Sequence, residues 1–86
     1  MRYNGVAENI YLLERCGELN AERRAWLENV RGHAIRATGW TPAEVAAQDE
    51  ALQREFRDRY PTIPKERCEP LARATDIERA RTLQVP

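Results

Sequence analysis

The sequence has no serine, one histidine and two cysteines among its 86 residues. Serine nucleophiles are therefore excluded. His33 is isolated in sequence from Cys16 and Cys68, whereas metal binding requires clustered Cys and His ligands. There is no Gly-rich phosphate loop either. We predict a non-enzymatic protein with no metal and no cofactor, and a Cys–His pair formed only in space is the one catalytic alternative left open.

Long apolar runs and an excess of one charge are also absent. The longest apolar run, Ile10–Leu13, is far too short to cross a bilayer. No apolar stretch of signal-peptide length follows the first residues. Fourteen basic residues balance fourteen acidic ones, which excludes a strongly basic nucleic-acid binder. We expect a cytoplasmic protein that does not contact a membrane.

Large apolar residues are scarce, since Val, Ile, Leu and Phe together make up less than a fifth of the chain. A chain of this length forms one small domain, which we predict to span residues 1–86. A core this small is marginally stable unless the helices are well capped or the chain associates. A homodimer would supply part of the missing burial.

The two cysteines lie 52 positions apart. A secreted disulfide framework would use more cysteines at closer spacing. We therefore expect Cys16 and Cys68 to be free, partly buried thiols in a reducing cytoplasm. The alternative is a single disulfide that ties the first helix to the C-terminal tail.

No segment alternates polar and apolar residues as a strand would, so the fold class is all-α. Apolar residues at helical spacing predict three main helices, over about 6–16, 21–38 and 42–60. Asn20 is expected to cap the second helix, and Gly39 is expected to end it. Because the link to the third helix is short, the second and third helices are predicted to form a hairpin on which the first helix packs.

The clearest local pattern opens the third helix. Thr41 is expected to be its N-cap, and Glu44 completes a capping box with it. Pro42 at the first helical position supports the same start. Trp40 is predicted to pack on Val45 as a hydrophobic staple.

The first helix is less regular. Asn4 or Gly5 can serve as its N-cap, and Gly17 is expected to end it. Tyr11 and Leu12 fall outside its main apolar face, so the helix is apolar around much of its circumference. Such a helix is either central in a bundle or presents a second face to a partner.

Beyond the third helix, prolines interrupt the pattern at Pro61, Pro64 and Pro70. Each proline disfavours helical geometry in the residue before it. We predict an irregular tail over 61–86, packed on the helical hairpin and ending in a short helix over about 76–83.

Asp49 lies on the apolar side of the third helix, where a carboxylate needs a partner. If the second and third helices run antiparallel, Arg31 lies level with Asp49. We therefore predict an Asp49–Arg31 ion pair at the edge of the hairpin, with a hydrated Asp49 as the alternative.

Candidate partner-binding residues come from the first and second helices. They are chosen because Tyr and Arg dominate binding hot spots and because exposed aliphatic residues beside them form an apolar centre. These residues are Tyr11, Leu12, Arg24, Arg31 and Ile35. The competing interpretation is that Tyr11 and Leu12 are core residues.

The function predicted from these features is binding to another macromolecule, most readily a protein, in order to regulate or inhibit it. Small helical chains without enzyme motifs are common among accessory proteins of bacteria, phages and mobile elements, including anti-defence and anti-CRISPR inhibitors. One alternative is a DNA-binding regulator, since residues 39–46 resemble the opening of a helix-turn-helix. Another is a structural or assembly subunit. A contiguous arginine face would favour nucleic acid, whereas arginines interleaved with acids would favour a protein partner.

Overall fold

The computed structural model describes residues 2–84. In that range the chain forms helices α1 (Tyr3–Cys16), α2 (Ala21–Thr38), α3 (Pro42–Arg59) and α4 (Lys65–Gln84). No strand occurs among the residues described. The all-α prediction is confirmed, and α2 and α3 have almost the predicted bounds.

The helix on which the others pack is α1, which contacts α2, α3 and α4, while α4 also packs on α2. The predicted hairpin framework is therefore wrong, because α2 and α3 do not pack along their lengths. The reason lies in α1, whose apolar side chains point in several directions. Val6 and Leu13 are completely buried, and Tyr11 is only 9% exposed. A helix apolar on several sides is buried most fully at the centre.

The core consists of two clusters on different sides of α1. In the larger cluster, residues of α1, α2 and α3 surround Phe56: Tyr3, Ala7, Tyr11, Ala34, Val45 and Leu52. In the smaller cluster, Leu13 of α1 packs with Leu27 of α2 and Ala72 of α4. Each side of α1 is thus closed by a different set of helices.

Helix α1 begins earlier than predicted, so the expected N-caps Asn4 and Gly5 lie inside it. Tertiary contacts explain the extension, because the Tyr3 ring is buried and its hydroxyl donates a hydrogen bond to Asp49. The predicted end of the helix is confirmed. Gly17 has a φ of 71° and closes the last turn in a left-handed conformation.

The predicted caps of α2 and α3 are also confirmed. The Asn20 side chain accepts a hydrogen bond from the Arg23 amide at 2.8 Å, and Gly39 ends α2 with a φ of 71°. In the capping box, the Glu44 amide donates to the Thr41 hydroxyl at 3.2 Å, and the Thr41 amide donates to the Glu44 carboxylate at 3.0 Å.

Helix α4 differs most from the sequence prediction. Instead of an irregular segment followed by a helix over 76–83, one helix runs from Lys65 through Pro70. Proline removes one backbone donor and crowds the preceding turn. The helix persists because contacts on both sides of Pro70 fix it: Cys68 is bonded to α1 before it, and Ala72 is buried after it.

An ion pair fixes the second half of α4 to α2. The Arg23 guanidinium donates to both carboxylate oxygens of Asp76, at 3.0 and 2.9 Å. Arg79 forms a second contact with Glu22 at 3.4 Å. Bidentate pairing of this kind fixes the relative orientation of the two groups in addition to the ionic attraction.

The prediction of free thiols is wrong, because Cys16 and Cys68 form a disulfide. Their separation of 52 residues gave no sign of this, since α4 packs back against α1 and brings the two Cα atoms to 5.6 Å. The alternative left open by the sequence, a bridge between the first helix and the C-terminal segment, is the correct one.

Gly32 lies inside α2 at a position that does not need glycine. A Cβ atom there would meet only Arg36 Nη1, at 3.8 Å, which is ordinary contact. Gly32→Ala should therefore raise the free energy of unfolding by about 0.5–1 kcal/mol in urea melts. Gly39→Ala is the matched control and should destabilise by about 1 kcal/mol, because its φ of 71° strains a residue with a Cβ. A Gly32→Ala variant less stable than the parent would contradict this assignment.

The Arg23–Asp76 pair should make stability depend on pH. The Arg23 hydrogen bonds hold the pKa of Asp76 below its ordinary value. The carboxylate therefore stabilises the fold above the unfolded-state pKa of about 3.9 and loses that effect as the pH falls through its lowered folded pKa. Asp76→Asn should cost about 1 kcal/mol at neutral pH in urea melts, and the difference from the parent should shrink in acid.

The control for this measurement is Glu78→Gln, which removes only a pair with Arg81 inside α4. It should have little effect at either pH, because exposed pairs of this kind stabilise weakly. If the free energy of unfolding of Asp76→Asn falls below that of the parent by the same amount at both pH values, the proposed role of the carboxylate is contradicted.

Candidate functional site

An open groove lies where the link between α3 and α4 passes beside α1. We call it the α1–α4 groove, and its volume is about 380 Å³, a size typical of binding sites. Residues of α1, of the end of α3, of the link and of the start of α4 line it: Leu12, Tyr60, Thr62, Ile63, Pro64, Glu66, Arg67, Pro70 and Leu71.

The lining of the groove is mainly apolar. Its half-buried side chains are Leu12, Tyr60, Ile63 and Leu71. Glu66 and Arg67 are exposed and place one charge of each sign at the edge. An apolar centre with a polar rim is the usual composition of a protein-binding surface.

The prolines of the link shape this groove. Pro61 disfavours helical geometry at Tyr60, which caps α3 with a φ of −124°. The Arg67 amide donates to the Pro64 carbonyl at 3.0 Å and closes the first turn at the start of α4. Ile63 lies between these two prolines, outside any helix and outside both core clusters. The link therefore holds an aliphatic side chain at the groove.

The disulfide joins the two helical walls of the groove. Leu12 precedes Cys16 by one helical turn, so both lie on the same side of α1. On α4, Arg67 and Leu71 lie directly before and one turn after Cys68. The Cys16–Cys68 bond thus connects the wall formed by α1 to the wall formed by α4.

Two of the predicted partner-binding residues, Tyr11 and Leu12, adjoin in α1 but have different environments. Tyr11 is a core residue, as the competing interpretation held: its ring centroid lies 5.3 Å from that of Phe56, and Arg15 donates to its hydroxyl at 2.7 Å. The core interpretation is therefore correct for Tyr11. Leu12 is half-buried and lies at the α1–α4 groove.

Arg31 belongs to a polar cluster around Tyr3. The predicted Asp49–Arg31 pair is confirmed, with Arg31 Nη2 4.0 Å from Asp49 Oδ2. Tyr3, which the sequence reasoning missed, donates to Asp49 at 3.1 Å, and the Arg31 guanidinium lies 5.7 Å from the centre of its ring. Burial is the main cause that raises the pKa of the Tyr3 hydroxyl. The hydrogen bond from Arg31 lowers this pKa, and Asp49 raises it further. The hydroxyl therefore stays protonated and remains a donor.

Trp40 completes this cluster. It is 36% exposed and packs edge-on against the Tyr3 ring, with the ring centroids 5.6 Å apart. The predicted packing of Trp40 on Val45 stays a prediction.

The remaining predicted residues, Ile35 and Arg24, lie on α2. Ile35 is half-buried against the larger core cluster, and Arg24 is exposed. Of the five predicted residues, only Leu12 lines the α1–α4 groove. The role of the other four in binding a partner stays a prediction.

Many arginines are paired with acids. Among the residues described, six form ion pairs with Asp or Glu: Arg23, Arg31, Arg59, Arg73, Arg79 and Arg81. Nucleic-acid binding depends on basic side chains that are available to neutralise phosphates. At these six positions, basic and acidic groups are therefore interleaved.

Within residues 2–84, no group of three or more His, Cys, Asp or Glu side chains is placed to hold a metal ion. None of the helices described is both long and apolar enough to cross a membrane. No protein-family model matches the chain, and neither a curated protein nor a solved structure is significantly similar to it.

The disulfide should contribute strongly to stability. Closing a loop of 52 residues removes entropy from the unfolded chain and stabilises a fold by roughly 3–4 kcal/mol. We expect the melting temperature of the parent, followed by circular dichroism, to fall by roughly 12–30 °C when reductant is added. The double variant Cys16→Ser/Cys68→Ser should melt at the lower temperature with or without reductant. If the melting temperature of the parent is the same with and without reductant, the predicted contribution of the bond is contradicted.

Proposed function

We propose that this chain is a small non-enzymatic helical protein that binds another protein and regulates or inhibits it. Accessory inhibitors of phages and mobile elements, including anti-defence and anti-CRISPR proteins, act in this way. The observation that carries the proposal is the α1–α4 groove, in which Ile63 is held beside other half-buried apolar side chains without belonging to the core.

The occupant we propose is an apolar side chain, or a short row of them, on one face of a partner helix. The groove is open and mainly apolar, so it can accept such a row without rearrangement of the fold. Its edge carries Glu66 and Arg67, and the whole chain has no net charge. A partner helix with both charge signs beside its apolar row complements this edge, whereas a phosphate backbone does not.

A second copy of the chain is one protein partner that a specific observation favours. The chain exposes 5998 Å², whereas a compact monomer of 10.0 kDa exposes about 5,200 Å². The structure is also flat, with extents of 40 × 35 × 18 Å. The excess surface is close to the roughly 800 Å² that each partner buries in a standard interface.

We also propose a cytoplasmic location. Disulfides are uncommon in that compartment, and those that form there are usually transient or redox-sensing. In the cytoplasm the Cys16–Cys68 bond would therefore exchange with the thiol pool.

Two isoleucines allow a matched test of the groove. Ile63 lines it, whereas Ile77 lies on α4 outside it and is 49% exposed. Ile63→Glu places a charge in the apolar groove and should lower partner capture from source-cell lysate by at least about tenfold, the effect of losing a hot-spot contact. Ile77→Glu should leave capture unchanged. Circular dichroism should show that both variants keep the helix content of the parent.

The other outcomes separate the alternatives. Equal capture by both variants would exclude the groove as the binding surface. Light scattering identifies the homodimer if the parent is a dimer and Ile63→Glu is a monomer. Binding of the parent to duplex DNA with a steep salt dependence, unaffected by Ile63→Glu, would support the DNA-binding alternative instead.

A further inference from the structure

We infer that the Cys16–Cys68 disulfide regulates the α1–α4 groove: the disulfide form binds the partner, and reduction opens the groove and weakens binding. This inference rests on the function proposed above, because it concerns the regulation of the same surface. It is carried by the position of the bond, by the different anchoring of the two halves of α4, and by the partial exposure of both cysteines.

The two helical walls of the groove are joined by the disulfide. Its α1 wall is Leu12, which belongs to a helix packed on three neighbours and is therefore fixed. Its α4 wall is formed by Glu66, Arg67, Pro70 and Leu71. The covalent connection between the two walls is the disulfide, whose Cα atoms lie 5.6 Å apart. Leu71, which follows Pro70, also packs against the smaller core cluster. The bond therefore decides the spacing of the part of the α4 wall that precedes Pro70.

The two halves of α4, on either side of Pro70, are anchored differently. After Pro70, the helix is anchored by Ala72 in the core and by the bidentate pair of Asp76 with Arg23. Before Pro70, the ion pair of Glu69 is made within α4 and does not connect it to α1. Pro70 also lacks the amide that would continue the helical hydrogen bonds across this point. The first turn of α4 is therefore the part that reduction releases.

The bond is reduced by thiol–disulfide exchange. Both cysteines are half-buried, so a dithiol reductant can approach the bond. One reductant thiolate attacks a sulfur of the pair and forms a mixed disulfide, and the other cysteine leaves as a thiolate that takes up a proton. The second reductant thiol then displaces the first cysteine. Overall two electrons and two protons pass to Cys16 and Cys68, and the reductant becomes a disulfide.

Reduction of the bond changes the shape of the groove. Reduction leaves Leu12 in place but frees the first turn of α4 and the link that carries Ile63. The apolar surface then loses its fixed shape, and a partner must pay the cost of ordering it again. Binding by a preformed surface avoids that cost, so affinity falls when the bond is broken.

Hydrogen exchange measured by mass spectrometry tests the inference without any partner. The comparison is between the oxidised protein and the Cys16→Ser/Cys68→Ser variant, at a temperature where the variant keeps its far-UV helix signal. Loss of the bond lowers the stability of the whole fold, so the informative quantity is the difference between segments. In the variant, exchange of peptides covering 60–69 should speed up by at least about tenfold more than exchange of peptides covering 45–56 of α3, as expected for local opening. The parent treated with a dithiol reductant should behave like the variant.

Partner capture supplies the second measurement. The oxidised parent should retain at least about tenfold more of the captured protein than the reduced parent. The double variant serves as the control for reductant effects, since its capture should be low and should not respond to reductant.

The outcomes distinguish the two proposals. Unchanged exchange over 60–69, or an equal acceleration over 60–69 and 45–56, would overturn local redox opening while leaving the groove as the binding surface. Faster exchange over 60–69 without any change in capture would overturn redox regulation of binding. Capture that is also unaffected by Ile63→Glu would exclude the groove as the binding surface, and the absence of any captured protein would overturn the proposed function itself.

Discussion

Burial of α1 on several sides is the constraint on which the rest of the structure depends. Its apolar side chains cannot be covered by one neighbour, so three helices pack around it, and α2 and α3 are kept from forming a hairpin of their own. Tyr11 is drawn into the core with Phe56 on one side, while Leu13 packs with Ala72 of α4 on another. The return of α4 to α1 brings the cysteines together and creates the groove beside them.

Features set by neighbouring residues could be predicted from the sequence. The capping box of Thr41 and Glu44 and the glycine that ends α1 involve contacts within a single helical turn. The course of α4 could not be predicted, because the interactions that keep it helical through Pro70 join residues more than fifty positions apart. The Arg23–Asp76 pair is of this kind, and proline chemistry alone predicts a break.

The candidate site was predicted only in part, for similar reasons. Leu12 was identified because it lies off the main face of its helix, whereas Ile63 was passed over as part of a link. The available signal was an isoleucine between two prolines, that is, an apolar residue in a segment that cannot join a helix. The Asp49–Arg31 pair followed from helix geometry, but the involvement of Tyr3 depended on an α1 start earlier than the sequence caps indicate.

The division of the core across α1 has a consequence for how the protein is made. On the ribosome, α1 is synthesised before any of its neighbours, and the side of α1 that carries Tyr11 can pack once α3 has emerged. The Leu13 side stays incomplete until Ala72 of α4 has also been synthesised. During that interval the nascent chain exposes leucine side chains that attract chaperones or neighbouring chains. Closure of the Leu13 side of α1 is therefore the last step in completing the core.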